Sequence, residues 1–201
     1  MIKNIIFDFG DIFINLDKIK FANELQKLGI SQNDNTFTPI LNEYEMGLIS
    51  TEDFINYFKE KLQVSSHEIK KAWNCILLDF PIERLKFIKK LAKQNKHRLF
   101  LLSNTNDLHI SWIQNNWGMD LYNEFKTCFE KFYLSHEIHL RKPNNNIYQF
   151  VLTENNLQAN ETLFIDDTEE NTSAAAMLGI HTWNLIPKKE DVVDLFTKNH
   201  I

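Results

Sequence analysis

Polar side chains of catalytic type follow three short, almost wholly apolar runs in this chain. The three endings are Asp8, then Ser103 and Asn104, then Asp166 and Asp167. Runs of this kind are typical of strands buried on both faces of a parallel sheet. Because ligands bind beyond the carboxyl ends of such strands, we expect these side chains to meet at one edge of the sheet. Lys142 follows a fourth candidate strand and a loop, and we expect it at the same edge.

This set of side chains fits phosphoryl transfer. The Asp8 carboxylate can attack phosphorus and form an aspartyl-phosphate, which divides one difficult step into two. Asp8 and Asp166 are hard oxygen ligands suited to Mg²⁺, which polarises a phosphoryl group and shields the nucleophile. Lys142 adds positive charge, and the Ser103 hydroxyl and nearby backbone N–H groups can hydrogen-bond the phosphoryl oxygens. Asp167 is expected to orient metal-bound water without binding the ion. The residues predicted to bind phosphate are Ser103, Asn104 and Lys142.

The elements that must position these residues alternate between strand and helix from residue 81 onward, which predicts a parallel α/β sheet with right-handed crossovers. The predicted strands lie at 2–7, 98–102, 129–134, 162–165 and 180–185, and a last helix at 189–198. Residues 15–80 show only helical patterns, and they are too many for a simple crossover. We therefore predict a core domain formed by residues 1–14 and 81–201, and an inserted all-helical cap domain formed by residues 15–80.

Four sequence motifs occur in a fixed order along the chain, at 6–10, 101–104, 141–143 and 164–167, with Asn171 after the fourth. In this order they resemble the motifs of the haloacid dehalogenase superfamily, in its phosphatase branch with a small helical cap. The resemblance implies a Rossmann-like three-layer α/β/α fold with a helical insertion and an Asp8 nucleophile. It also implies a Mg²⁺ site that includes Asp8, Asp166 and the backbone carbonyl of Gly10. Segments 45–50 and 102–106 are most similar to bacterial α-D-glucose-1-phosphate phosphatases, so glucose 1-phosphate is an expected substrate.

The chain departs from the superfamily pattern at Gly10. Most phosphatases of the superfamily carry a second aspartate there, two residues after the nucleophile, as general acid and base. The glucose-1-phosphate group also has glycine at this position, so activity is still expected, and Asp11 is a candidate for the missing acid. An anomeric oxygen leaves more readily than a primary alcohol and needs less protonation. We therefore predict that aldose 1-phosphates are preferred over 6-phosphates.

Two other functions stay open at this point. One is a dehalogenase in which Asp8 attacks carbon, although the paired Asp166 and Asp167 favour a metal-dependent reaction. The other is a catalytically weak binding or regulatory protein of the same fold, which the glycine at position 10 suggests. The joint presence of Asp8, Lys142 and Asp166 favours an active enzyme instead.

Composition limits the partners and the compartment. The chain has 201 residues and a net charge of −5, which disfavours electrostatic binding of nucleic acid. The apolar run at the N-terminus is too short to span a membrane. Cys75 and Cys128 lack metal-ligand spacing, and a reducing cytoplasm is the simplest compartment. We expect a phosphorylated small-molecule substrate and a monomer or weak homodimer.

Overall fold

A five-stranded parallel sheet forms the centre of the fold. The computed structural model describes residues 1–31 and 35–197. The strands are β1 Asn4–Phe7, β2 Arg98–Ser103, β3 Lys131–Leu134, β4 Thr162–Asp166 and β5 His181–Asn184. Their spatial order is β3-β2-β1-β4-β5, and every neighbouring pair is parallel. The predicted α/β class with a parallel sheet is therefore confirmed.

The first strand is central because its residues are apolar on both faces. Ile5 and Phe7 pack into one hydrophobic cluster, whereas Ile6 packs into a separate cluster on the other side of the sheet. All three side chains are fully buried, as the alternation of a two-sided strand requires. Phe7 pairs with Leu101 on one side and with Ile165 on the other, so the carboxyl ends of the three strands meet at one edge of the sheet.

Ten helices occur in the part of the chain that the structure describes. They are α1 Lys18–Lys27, α2 Thr38–Glu45, α3 Thr51–Leu62, α4 Ser66–Asn74, α5 Ile82–Gln94, α6 Asp107–Trp117, α7 Met119–Lys126, α8 Ser135–Ile138, α9 Asn145–Glu154 and α10 Glu169–Met177. Helices α5, α6 and α7 contribute to the cluster on one face, and α9 and α10 to the cluster on the other. The sheet is thus the middle of three layers.

Helices α1 to α4 all fall within residues 15–80, and they build a third cluster rich in aromatic rings. Tyr44 stacks on Phe54 with ring centroids 4.0 Å apart, and Trp73 meets the edge of Phe54 at 4.8 Å. Leu108 of α6 joins the same cluster, so a helix that packs on the sheet also contacts it. The helical content agrees with an inserted cap, whereas the division into two domains stays a prediction.

Local capping explains where several of these helices begin. The Asp17 side chain accepts a hydrogen bond from the Lys20 N–H, and the helix predicted after Asp17 starts at Lys18. Ser65 and Glu68 form a reciprocal capping box at the start of α4. No helix in the described ranges combines the length and apolarity that a membrane crossing requires.

The helix predicted at 189–198 is wrong over the described residues, and residue 198 lies outside them. Only a short 3₁₀ turn, Val192–Asp194, occurs there. Asp191 accepts a hydrogen bond from the Val193 N–H at 3.1 Å and also pairs with the buried Arg84 at 3.0 Å. Val192 and Leu195 are completely buried, so the segment is held by side-chain anchoring to the core.

Candidate active site

Two adjacent strands bring the first pair of predicted residues together. Asp8 directly follows β1, and its N–H donates to the carbonyl of Ile165 at 2.8 Å. Asp166 is the last residue of β4 and is 0% exposed, while Asp8 is 8% exposed. Because Phe7 and Ile165 are in register, the two carboxylates lie side by side at the carboxyl edge of the sheet.

Lys142 neutralises this pair of carboxylates. Its ammonium Nζ donates to Oδ1 of Asp8 and to Oδ2 of Asp166, at 2.7 Å in each case, and the residue is 1% exposed. Burial acts to lower the pKa of Lys142, but the charges of Asp166 and Asp8 outweigh it and raise the pKa overall. Lys142 therefore stays charged in this buried position.

Asp166 is oriented by the loop and helix that follow it. The N–H of Thr168 donates to Oδ1 at 2.8 Å, and the Asn171 amide donates to both carboxylate oxygens at 3.1 and 3.0 Å. These bonds fix the orientation of the carboxylate. Asn171, which follows the fourth motif in the sequence, thus has a positioning role that the sequence did not define.

The donor set at this edge suits a hard divalent cation. Carboxylate oxygens of Asp8, Asp166 and Asp167 lie within 4.8 Å of one another. Burial raises the pKa of Asp8, and the charges of Asp166 and Asp167 raise it further, although Lys142 acts in the opposite direction. A cation bound among these oxygens would offset that repulsion. Gly10, whose carbonyl is a predicted ligand, lines a cavity together with Asp8 and Asp167.

Asn104 of the second motif binds the backbone of Lys142. The Asn104 side chain donates from Nδ2 to the Lys142 carbonyl and accepts the Lys142 N–H at Oδ1, both at 2.9 Å. The Ser103 hydroxyl is buried, with a long 3.4 Å hydrogen bond to the Asn104 carbonyl. Asn104 therefore positions Lys142, while phosphate binding by Ser103 and Asn104 stays a prediction.

Asp11, the candidate acid, is engaged elsewhere. It has a left-handed backbone with φ of 52°, and its Oδ1 accepts the Leu16 N–H at 3.0 Å. Its Oδ2 pairs with Lys18 at 2.9 Å, and Lys18 also pairs with Asp167 at 2.5 Å. The first residue of α1 thus joins two acidic side chains of the site, a contact that sequence analysis missed. A role for Asp11 in proton transfer stays a prediction.

A cavity of about 320 Å³ opens onto Asp8 and Lys142. Glu45 and Arg141 line it, and both Nε and Nη2 of Arg141 donate to Oε2 of Glu45, at 3.2 and 3.1 Å. Burial raises the pKa of Glu45, and Arg141 partly counters that effect. Both residues lie in segments that the sequence singled out. Their contact was missed because 96 residues separate them.

Comparison with known proteins places this site in a family. The chain is 30% identical over 190 residues to a D-ribitol-5-phosphate phosphatase of Bacteroides thetaiotaomicron, with 91% of each chain covered. A HAD family enzyme of the same species, solved in complex with magnesium and inorganic phosphate, is 35% identical. It superposes with a TM-score of 0.82 over 98% of this chain and 100% of the other.

A HAD-like hydrolase structure from Porphyromonas gingivalis is 26% identical and has a TM-score of 0.84, covering 98% of this chain and 97% of that one. The family model for haloacid dehalogenase-like hydrolases matches residues 2–179, a span that includes all four motifs and the carboxylate–lysine cluster. The chain therefore belongs to the haloacid dehalogenase-like hydrolase family.

Proposed function

We propose that this protein is a Mg²⁺-dependent phosphatase that hydrolyses a small phosphorylated sugar or sugar alcohol through an aspartyl-phosphate on Asp8. The observation that carries the proposal is the buried cluster of Asp8, Lys142 and Asp166, joined by two contacts of 2.7 Å. Such a cluster places a nucleophile and a compensating cation at one point, which phosphoryl transfer needs.

The chain's own residues divide the work of the two steps. An Asp8 oxygen attacks phosphorus, a new O–P bond forms, and the ester O–P bond breaks as the alcohol leaves with a proton taken from solvent. Water then attacks the same phosphorus, the bond between Asp8 and phosphorus breaks, and phosphate, free Asp8 and the proton of the attacking water are released. Lys142 stabilises negative charge on the phosphoryl oxygens in both steps. Asn104 keeps the backbone of Lys142 in place.

The metal is proposed to bind Asp8, Asp166 and the carbonyl of Gly10, with Asp167 orienting bound water. When bound, Mg²⁺ supplies charge neutralisation and polarises the phosphoryl group. The Bacteroides relative solved with magnesium and inorganic phosphate supports the use of Mg²⁺ by this chain. The same relative, and the one named as a phosphatase, favour phosphate ester hydrolysis over dehalogenation and over a purely regulatory role.

Two substrate classes have specific support. The glycine at position 10 favours a good leaving group such as the anomeric oxygen of glucose 1-phosphate. The relative named for D-ribitol 5-phosphate favours the terminal phosphate of an open-chain polyol. Both are small, hydroxyl-rich phosphomonoesters, and a cavity of about 320 Å³ suits their size.

A substrate panel tests the proposal directly. Rates of phosphate release from glucose 1-phosphate, glucose 6-phosphate, D-ribitol 5-phosphate and p-nitrophenyl phosphate are compared as kcat/KM, with Mg²⁺ and with EDTA. We expect activity that EDTA abolishes and Mg²⁺ restores, and higher kcat/KM for the 1-phosphate than for the 6-phosphate. Full activity without metal, or halide release from a 2-haloacid instead of phosphate release, would contradict the proposal.

A further inference from the structure

The Glu45–Arg141 pair, which lines the cavity, takes no part in the phosphoryl chemistry. Both hydrogen bonds from Arg141 reach the same oxygen, Oε2 of Glu45. Within residues 1–31 and 35–197, no hydrogen bond reaches Oε1 of Glu45 and none leaves Nη1 of Arg141. The side chains are 28% and 22% exposed. One charged acceptor and one charged donor are therefore available at the cavity wall.

The position of the pair relates it to the phosphoryl end. Arg141 and Lys142 are consecutive, yet Lys142 contacts Asp8 and Arg141 contacts Glu45. Glu45 also lines a neighbouring cavity of about 150 Å³, whose wall includes Ser103 and His109. The pair thus lies where the part of a substrate that extends away from phosphorus would be accommodated.

The chemistry of the pair suits hydroxyl groups. A hydroxyl donates to a carboxylate oxygen and accepts from a guanidinium, and neighbouring hydroxyls of a sugar or polyol can do both at once. Most of the remaining wall near Asp8 is also polar or charged, including Lys18, Glu170 and Asn171. A substrate without hydroxyls would leave these groups without partners, which costs binding free energy.

We infer that Glu45 and Arg141 are specificity-determining residues that bind the hydroxyl groups of the substrate's sugar or polyol portion. The inference rests on the proposed function, because the phosphoryl group must lie at Asp8 for its alcohol portion to reach the pair. The pair selects polyhydroxylated phosphates over aryl phosphates. Its acidic member, Glu45, lies at the end of α2, outside the four motifs.

A purely structural role predicts a different result. Glu45 belongs to the predicted cap and Arg141 to the predicted core, so the pair also ties the two together. Loss of a purely structural contact would lower kcat/KM for every substrate by the same factor. Loss of a hydroxyl-binding group would slow hydroxylated substrates more than p-nitrophenyl phosphate. The ratio of the two kcat/KM values therefore separates the roles.

The test uses Glu45→Gln, which keeps the size of the side chain and removes its charge. For D-ribitol 5-phosphate and for glucose 1-phosphate, we expect kcat/KM relative to p-nitrophenyl phosphate to fall about tenfold or more, the effect of one charged hydrogen bond. The matched control is His139→Ala. It removes a nearby contact in which His139 Nδ1 lies 2.8 Å from the Met46 carbonyl, and it should leave the ratio unchanged.

A second measurement does not depend on turnover of the sugar substrate. Free ribitol should inhibit p-nitrophenyl phosphate hydrolysis competitively, and its inhibition constant should rise in Glu45→Gln. If Glu45→Gln does not fold, Glu45→Asp, which withdraws the carboxylate by one methylene, should shift the same ratio in the same direction. An unchanged ratio, or a wild-type enzyme that does not favour hydroxylated substrates, overturns the inference. Activity that survives in Asp8→Asn would instead overturn the proposed function.

Discussion

The two ends of the active-site cavity are built differently. At the phosphoryl end, Asp8, Lys142 and Asp166 are nearly inaccessible to solvent and joined at 2.7 Å. At the other end, Glu45 and Arg141 are partly exposed and joined at 3.1 to 3.2 Å. Buried charges must be fully compensated, so each member of the first cluster depends on the others. Partly exposed charged groups can exchange their hydrogen-bond partners for water or substrate.

This difference assigns separate tasks to the two ends. The buried cluster leaves little freedom in residue type, which suits a reaction step that all substrates share. We expect the partly exposed pair to tolerate substitution, which suits selection among substrates. Mutations at the phosphoryl end should therefore affect all substrates strongly, and mutations farther from phosphorus should have smaller and more selective effects.

The largest effect is expected for Asp8→Asn. The amide cannot attack phosphorus, so kcat should fall by at least about 10⁴-fold for every substrate in the panel. The fold should persist, because Lys142 keeps its contact with Asp166. Steady-state phosphate release and thermal unfolding measure the two effects.

The control for this change is Glu83→Gln on α5, an exposed acidic residue that pairs with Lys86. It should keep wild-type rates for all substrates. A rate in Asp8→Asn close to that of this control would contradict the nucleophile assignment and remove the contrast between the two ends.

A smaller but still general loss is expected for Asp166→Asn. Loss of an outer-shell partner typically costs 10–100-fold in metal affinity or activity, so loss of a direct ligand should exceed about 100-fold in Mg²⁺ affinity. Isothermal titration calorimetry with Mg²⁺ measures this without relying on turnover. Asp17→Asn at the start of α1 is the control, and its Mg²⁺ affinity should match the wild type. Equal Mg²⁺ affinity in Asp166→Asn and wild type would place the ion elsewhere.

Asn104→Ala should have an intermediate effect. It removes both 2.9 Å bonds to the backbone of Lys142, which together stabilise the fold by about 1–3 kcal/mol. We expect kcat to fall roughly tenfold for all substrates while the relative order of substrates stays the same, because the lysine loses its position and not its charge. Asn104→Asp keeps the acceptor for the Lys142 N–H and should recover part of the rate. A change confined to KM would indicate direct phosphate binding instead.

Most of the sheet and the phosphoryl end could be predicted from the sequence. Short apolar strands followed by Asp8 and Asp166 are local patterns, and strand register alone then brings the two carboxylates together. The helix start at Lys18 was also local, because Asp17 caps it. The phosphoryl-transfer residues could be predicted because they are a few residue types at the ends of strands, and their identification does not require knowledge of how the side chains pack.

The remaining features depend on contacts between distant segments. The contacts of Glu45 with Arg141 and of Lys18 with Asp167 join residues 96 and 149 positions apart, and no pattern in the sequence pairs them. The predicted C-terminal helix failed for a similar reason, since Asp191 is held by Arg84, 107 residues earlier. Long-range ion pairs determine the local structure in each of these regions, and the partners of such pairs cannot be identified from a single sequence.

The smallest and most selective effect is expected at Gly10, which lines the same cavity. Gly10 lacks a left-handed φ, so its backbone does not require glycine. A Cβ at this position would lie 2.8 Å from Cδ1 of Leu16, the tip of a flexible side chain. The space that a second aspartate would occupy is therefore filled by Leu16, and the Gly10→Asp/Leu16→Ala double variant should accept the new carboxylate better than Gly10→Asp alone.

A carboxylic acid at position 10 would protonate the departing oxygen, so it should help poor leaving groups most. A well-positioned general acid contributes about 10²–10⁴-fold, and we expect no more than about tenfold here because the surrounding turn, including Lys18, has not adapted to a carboxyl group at position 10. The measurement is the slope of log kcat/KM against leaving-group pKa for a series of phosphate esters. That slope should become shallower in Gly10→Asp/Leu16→Ala and stay unchanged in the matched Gly10→Asn/Leu16→Ala, whose amide has the same size but no acidic proton. Equal slopes in both double variants would show that position 10 acts through shape alone. A steeper slope in Asp11→Asn, made in the wild-type background, would show that Asp11 already supplies the proton despite its contacts with Lys18 and the Leu16 N–H. Asp11 would then perform, from the same turn, the role of the aspartate that Gly10 replaces.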